Sequence, residues 1–411
     1  MSATVRLDRA RPGITLISAE VQKNPFPLYS TLRDRYPVCQ VDPDGMWVIT
    51  RYDDVQFALK NPQIFSSRAF STIHQPEWLR KDCRRNYFIL SQDPPEHTQN
   101  RSLINKAFVH RVIDALLPLM RDKARALVAA LTVAGDVDFI KAFADPYVAS
   151  ILSHITGTGE ARSADDIRHL IGLAQVITPA RPSDSHVAAL EDAIGRQRAC
   201  FTAAIQDRRR HPQRDLLSEL IGIEVDSETL ALLDDEMLIS LLDLLVNAGF
   251  ETTSSVLVNA VIQFARQPGL MQTLQADPAL IPAFLEELLR YDPPTHALLR
   301  QATQPVTLAG VTIPEDALIL VLLAAANRDP AHFSDPDAFI MGRKNIKEHV
   351  AFGYGPHACI GAALARLEIT VALEELVKNF SAVACPADDE LPWAGALLVH
   401  VVTELPVRFR R

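Results

Sequence analysis

Cys359 stands in the run Phe352-Gly353-Tyr354-Gly355-Pro356-His357-Ala358-Cys359-Ile360-Gly361. Glycines at 353, 355 and 361 permit positive φ and a close approach of the backbone to a flat ligand. A predicted helix begins near Gly361 and runs through Ala363 to Asn379, so its N-terminus and the free N–H groups of the loop favour negative charge on the sulfur. A cysteine so placed has three chemistries open to it. It can be a small buried hydrophobe, it can pair with His357 as a hydrolytic nucleophile, or its thiolate can ligate iron. At a haem, a thiolate ligand pushes electron density onto the metal and favours O–O cleavage. The full spacing Phe-Gly-x-Gly-x-His-x-Cys-x-Gly weighs against the first, and His357 two residues away could donate a hydrogen bond to a haem carboxylate.

A second group lies in a long apolar stretch. Leu244, Asn247, Ala248, Glu251 and Thr252 are spaced i, i+3, i+4, i+7, i+8 and share one face of a helix. Small residues at Ala248 and Gly249 leave room for dioxygen. The Thr252 hydroxyl can bond back to the carbonyl of residue 248 and loosen the helix, and Glu251 with Thr252 has the make-up of a proton-delivery pair. The plain alternative is a core helix with a threonine inside and a glutamate facing solvent. Two further sets stand out by spacing. Glu287-Leu288-Leu289-Arg290 puts opposite charges at i, i+3, which on a solvated face would be worth little. His97 and Arg101 sit one helical turn apart in Asp93-Pro94-Pro95-Glu96-His97-Thr98-Gln99-Asn100-Arg101.

The segment Phe352–Gly361 resembles the haem-binding signature of the cytochrome P-450 superfamily, every fixed position matching. Ala248–Thr253, Glu287–Arg290 and Asp93–Arg101 match the same family in the right order, so the resemblance covers essentially the whole chain. It implies a mainly α protein with small β-sheets, a single domain over residues 1–411, with a long central helix over haem b. It makes Cys359 the iron ligand, framed by Phe352, Gly353 and Gly361, with Ala248 on the haem face. His97, Arg101, Arg300 and His357 become donors to the two haem propionates, which need such partners when buried. Glu287 and Arg290 become a buried pair tied to a downstream meander at Asn327-Arg328-Asp329-Pro330 and Phe339 to Arg343, serving folding and haem retention. The substrate pocket would be lined by the loop from Ser71 to Leu90, by Leu244, Asn247 and Ala248, by His296, Ala297 and Leu298, and by Ala394 to Leu398. Asn247 and His296 are its candidates for a polar contact, unless they bond nearby backbone. The implied activity is a monooxygenase that uses O2 and electrons from NAD(P)H to hydroxylate or epoxidise a mainly apolar small molecule, with Glu251 and Thr252 handling protons. A peroxide-driven haem-thiolate oxidase is the nearest alternative, and the Glu251-Thr252 pair argues against it. A non-catalytic haem-fold recruitment platform is a further one.

The elements that must position these residues follow from periodicity. The longest, from Asp234-Asp235 to Pro268-Gly269, is apolar almost all round and about 45 Å long at 1.5 Å per residue, so it belongs in the core. Helices are expected over Pro27–Tyr36, over Leu103–Ala134 as one piece, over Pro146–Ile155 and over Ala188–Arg209. A short helix capped by Asp53 should stop at Asn61-Pro62. Strands are expected at Val38–Val41 paired with Met46–Thr50, and at Val306–Leu308, Val311–Ile313 and Leu318–Leu322.

Of the 411 residues, 48% are hydrophobic, ample for a large core, and the net charge of −9 argues against nucleic-acid binding. The five cysteines are widely spaced, with no zinc-ligand pattern and no disulfide framework. Together with the absence of a signal-like N-terminus and of a membrane-spanning run, this predicts a soluble, cytoplasmic protein. No GxGxxG fingerprint follows a strand, so electrons are expected from a ferredoxin and its ferredoxin reductase, with Lys106, Arg111 and Arg366 as docking contacts.

Overall fold

The computed structural model describes residues 12–42, 45–74, 77–83, 88–108, 110–133, 135–159, 163–174, 182–222, 234–395 and 397–411. Contacts divide the chain into two compact units, each built from separated stretches. The first takes residues 1–69, 286–359 and 387–403, the second 70–285, 360–386 and 404–411.

The first unit is organised by a five-stranded sheet. Val38–Val41 and Met46–Ile49 form an antiparallel hairpin, Val38 opposite Ile49. Met46–Ile49 runs parallel to Leu318–Leu322, which pairs antiparallel with Ala297–Ala302, and that strand with Phe65–Ser66. Leu318–Leu322 reads Leu-Ile-Leu-Val-Leu because it is an inner strand, buried from Ile319 onward on both faces. Val38, Ile49, Phe65, Ile319, Val321 and Phe333 are its fully buried core. The strand Ala297–Ala302 was not legible in the apolar pattern. The helix Tyr52–Lys60 stops at Asn61 as expected, but Asp53 does not cap it. The first backbone N–H is taken instead by the Asp329 carboxylate, which accepts from Tyr52 N at 2.8 Å. The cap is supplied from a segment 277 residues away, and Asp53 falls in the first turn, where its charge still suits the dipole.

The second unit is helical, with one small sheet of Val137–Asp138, Pro406–Arg410 and Ala382–Ala384. Its axis is the 32-residue helix Asp235–Arg266, capped by the Asp234 carboxylate, which accepts from Met237 N at 2.8 Å. This central helix packs against Asp145–Ile155, Asp184–Arg210 and Ala362–Asn379. It is long and apolar enough to cross a membrane, but it is largely buried by protein, the condition of a core helix. The single helix expected over Leu103–Ala134 is three: Glu96–Ala107, His110–Ala115 and Leu117–Val133. Pro118 explains the last break, since proline lacks the N–H a continuing helix needs and disfavours helical backbone just before it.

Candidate functional site

The cysteine loop is shaped by its glycines and by backbone bonds. Gly353 and Gly355 both adopt positive φ, +70° and +72°. At Gly355 an added Cβ would lie 2.4 Å from the Leu59 carbonyl oxygen, so no side chain fits there. Gly361 differs from the expectation of positive φ: its φ is −84°, and it serves as the residue before the helix Ala362–Asn379. Cys359 N–H donates to the Phe352 carbonyl at 2.8 Å, closing the loop on itself, and Cys359 is exposed. Cys39 is the contrast: it is fully buried in the sheet, and burial pushes its thiol up to about 12. That is the inert, structural kind of cysteine. His357 turns its Nε2 toward Ser67 Oγ at 3.1 Å. No disulfide forms among the described residues.

The first unit also holds a charge network whose ionic groups find partners. Glu287 and Arg290 are both fully buried. Arg290 donates through Nε and Nη2 to the two oxygens of Glu287, at 2.9 and 2.7 Å. Its remaining N–H groups reach the carbonyls of Asn327, Pro336 and Ala338. Glu287 in turn accepts from Ile340 N and from Arg343 Nε. The Glu-x-x-Arg spacing therefore binds the segments Asn327–Pro330 and Phe339–Arg343, and Arg343, which spacing did not single out, is the third charge. Arg300, on the strand Ala297–Ala302, is buried at 3% exposure and donates to the Leu299 carbonyl.

In the second unit the central helix carries its candidate residues as one seam. Leu244 and Asn247 are half-buried and Ala248 is exposed, in a helix otherwise mostly buried. Thr252 Oγ1 donates to the Ala248 carbonyl at 2.7 Å, the back-bond its spacing predicts. Glu251 is buried at 8% exposure, so the solvent-facing alternative for it falls. Gly249 does not leave room for dioxygen: its Cα faces Leu152, whose Cδ2 would lie 3.2 Å from an added Cβ. That glycine lets the helix Asp145–Ile155 approach. Asn247 is committed locally, donating from Nδ2 to the Asp243 carbonyl and carboxylate at 2.6 and 2.9 Å. Asp243 also accepts from Gln197. Two residues past Thr252, Ser254 donates to Asp145 at 2.6 Å, and Asp145 is ion-paired to Arg168. Arg168 lies 5.1 Å above the Phe250 ring. This buried brace holds the middle of the central helix, and its members are too far apart in sequence for any spacing to show it. His97 is buried at 1% exposure, and Arg101, half-buried, donates from Nε to Asn105 on the same helix at 3.1 Å.

Of the residues expected around a substrate, Ala297 and Leu298 lie at the start of their strand, Ala297 buried and Leu298 half-buried against the sheet core. His296 is 2% exposed, and its ring goes to Tyr29, Phe26 and His400. Its expected role as a polar contact on a substrate is corrected on that account: the ring is enclosed by side chains of its own unit. Parts of the 71–90 loop, including Arg84 and Arg85, and residue 396 fall outside the described residues.

Taken unit by unit, the side chains have the chemistry a haem calls for: in the first, an exposed cysteine on a glycine-shaped loop and the buried Arg300; in the second, the buried His97 and a helix seam of small and hydroxyl residues. The family profile described as cytochrome P450 matches residues 184–406. Cytochrome P450 109 of Bacillus spizizenii is 33% identical over 93% of this chain and 91% of its own length. The solved structure of CYP109Q5 from Chondromyces apiculatus superposes with a TM-score of 0.87 at 32% identity, covering 98% of this chain and 99% of that one. CYP109E1 from Bacillus megaterium, solved in complex with corticosterone, gives a TM-score of 0.81 at 26% identity, over 95% and 99% of the two chains.

Proposed function

Because this chain belongs to the cytochrome P450 family and is a haem-thiolate monooxygenase, we propose that Cys359 is its iron ligand and that it oxygenates a mainly apolar small molecule with electrons from a separate ferredoxin. The observation that carries the ligand assignment is the exposure of Cys359 on a loop whose backbone is closed by its own N–H and in which Gly355 admits no side chain. Bound there, haem supplies oxygen activation and accepts electrons one at a time. Everything else falls to side chains of the chain. His97, Arg101, Arg300 and His357 hold the propionates by charge-assisted hydrogen bonds, and Glu287 with Arg290 keeps the loop's supporting segments in place. Thr252, its proton resting on the Ala248 carbonyl, can turn that hydroxyl to donate toward the reacting oxygen. Glu251, mostly shielded from water, relays the replacement proton. Leu244, Ala248 and Leu298 give the substrate apolar walls and exclude water. The corticosterone complex of CYP109E1 supports a substrate of steroid-like size and polarity. Lys106 is exposed and Arg366 half-buried, which suits both for docking an acidic ferredoxin, reduced by NAD(P)H through its reductase; the Arg111 side chain lies outside the described residues. The whole chain acts in this reading as one catalytic domain, in the cytoplasm.

The test is the difference spectrum of the reduced protein with carbon monoxide. A strongly red-shifted Soret band, lost in Cys359→His while haem is kept, is the expected result. A haem spectrum without the shift in the natural protein refutes the ligand assignment. For the proton pair, Thr252→Ala should retain haem and divert electrons into hydrogen peroxide; unchanged coupling of NAD(P)H to product would remove Thr252 from that role.

A further inference from the structure

Away from the cysteine loop, the first unit buries a second group of ligating side chains. Asp292, His296 and His400 are 6%, 2% and 6% exposed. One ligand atom from each lies within 4.8 Å of the others. The backbone makes this meeting. His296 N–H and Ala297 N–H both donate to the Leu398 carbonyl, and His400 N–H donates to the Pro294 carbonyl. This antiparallel pairing of 294–297 with 398–400 brings the two imidazoles face to face, ring centres 4.9 Å apart. Asp292 directly follows the helix ending at Tyr291, where the helix dipole disfavours a negative charge and a cation would relieve it.

The hydrogen bonds say which nitrogens are available. His400 Nε2 faces the Gln22 carbonyl at 2.8 Å. A carbonyl only accepts, so Nε2 carries the proton and Nδ1 is left as a lone pair. That Nδ1 is buried and has no hydrogen-bond partner. On His296 the Nδ1 is engaged by the Tyr29 hydroxyl at 3.1 Å, and Nε2 is the buried atom without a partner. Two buried imidazole nitrogens left bare beside a buried carboxylate are costly as they stand. Each histidine, meanwhile, has its outer nitrogen held by an oxygen, the arrangement that orients a metal-ligating imidazole. Burial also holds both rings below their usual protonation range, so they are neutral near pH 7, the form that ligates.

We infer that Asp292, His296 and His400 form a binding site for one divalent cation of the zinc class, two imidazole nitrogens and a carboxylate oxygen serving as ligands and water as the fourth. This ligand chemistry suits zinc better than calcium or magnesium, which take mostly oxygen. Tetrahedral ligation at about 2.0–2.1 Å sets ligand atoms about 3.3 Å apart, so the side chains must close by about 1.5 Å at most. Arg328, whose charge acts on His296, stacks 3.4 Å over the Phe26 ring and pairs with Asp337; that pairing limits its opposition to a cation. The site's effect would be to pin the entry of the strand Ala297–Ala302 and the strand His400–Val402 to the helix Phe26–Arg35.

The experiment uses the haem-loaded protein, stripped with EDTA and titrated with zinc sulfate at pH 7.5 against a chromophoric chelator. About one zinc per chain should bind, survive gel filtration, raise the melting temperature and show two nitrogen neighbours at the zinc absorption edge. His400→Phe keeps a ring against Trp393, which stacks 4.3 Å from His400, but removes the ligand. It should keep the Soret band, lower the zinc-free melting temperature by no more than the lost bond to the Gln22 carbonyl, and weaken zinc binding at least 100-fold. Asp292→Asn should weaken binding less. No zinc uptake by the natural protein, or one zinc bound equally well by His400→Phe, overturns the site. If His400→Phe fails to fold, Asp292→Asn carries the test alone, and unchanged affinity in it overturns the site.

Discussion

Two buried polar clusters grow from the same stretch of chain and differ in one respect. Glu287, Arg290 and Arg343 are charged and buried, and the carboxylate and both guanidinium groups find partners among one another and the surrounding carbonyls. Asp292, His296 and His400, starting two residues past Arg290, are as deeply buried but leave two imidazole nitrogens bare. A satisfied network rigidifies the fold and has nothing to offer a ligand. One with acceptors left over is either a loss of stability or a site.

The comparison is broken most forcefully at Glu287. Glu287→Ala leaves Arg290 and Arg343 buried without their counter-charge, which should cost about 3–5 kcal/mol and release haem. Denaturant unfolding followed by far-UV circular dichroism and the Soret band measures both. A loss under about 1 kcal/mol would show that the network is dispensable. The second cluster should answer to pH where the first does not. His296 and His400 have folded-state values depressed below the ordinary 6.5 by burial, with His400 and Arg328 adding repulsion at His296 and Asp292 partly offsetting at His400. The unfolded chain then binds more protons, so stability is full above about pH 6.5 and falls as the pH drops through that value. Urea midpoints at pH 7.5 and 5.5 in EDTA should diverge in the natural protein and less in His400→Phe; equal divergence would locate the effect elsewhere. The smallest change is Tyr29→Phe. It removes one hydrogen bond to His296, worth about 0.5–1.5 kcal/mol, and should weaken zinc about 10–100-fold. Zinc affinity unmoved by that substitution would take Tyr29 out of the site's support.

The short motifs of the candidate site were legible because they are local. Phe352 to Gly361 is one loop, Ala248 to Thr252 one helical face, and Glu287 with Arg290 one turn. Spacing along the chain is then spacing in space, and even the Thr252 back-bond could be anticipated. The long central helix was legible for the same reason: its apolar residues surround it, and a helix period needs no partner to be read.

What only the tertiary structure decided is where distant residues meet. The brace of Asp145, Arg168 and Ser254 spans 109 positions, and Asp329 caps a helix 277 residues away. The family resemblance implied His296 as a pocket wall, whereas its partners are Tyr29 and His400. Gly249 was read as space for oxygen, and packing against Leu152 gave it another purpose. By itself the sequence determined the periodic elements and the residue types at each short motif, since those follow from backbone geometry and local bonding. Which face meets which, and which buried polar atom is left without a partner, depends on packing between elements far apart in the chain.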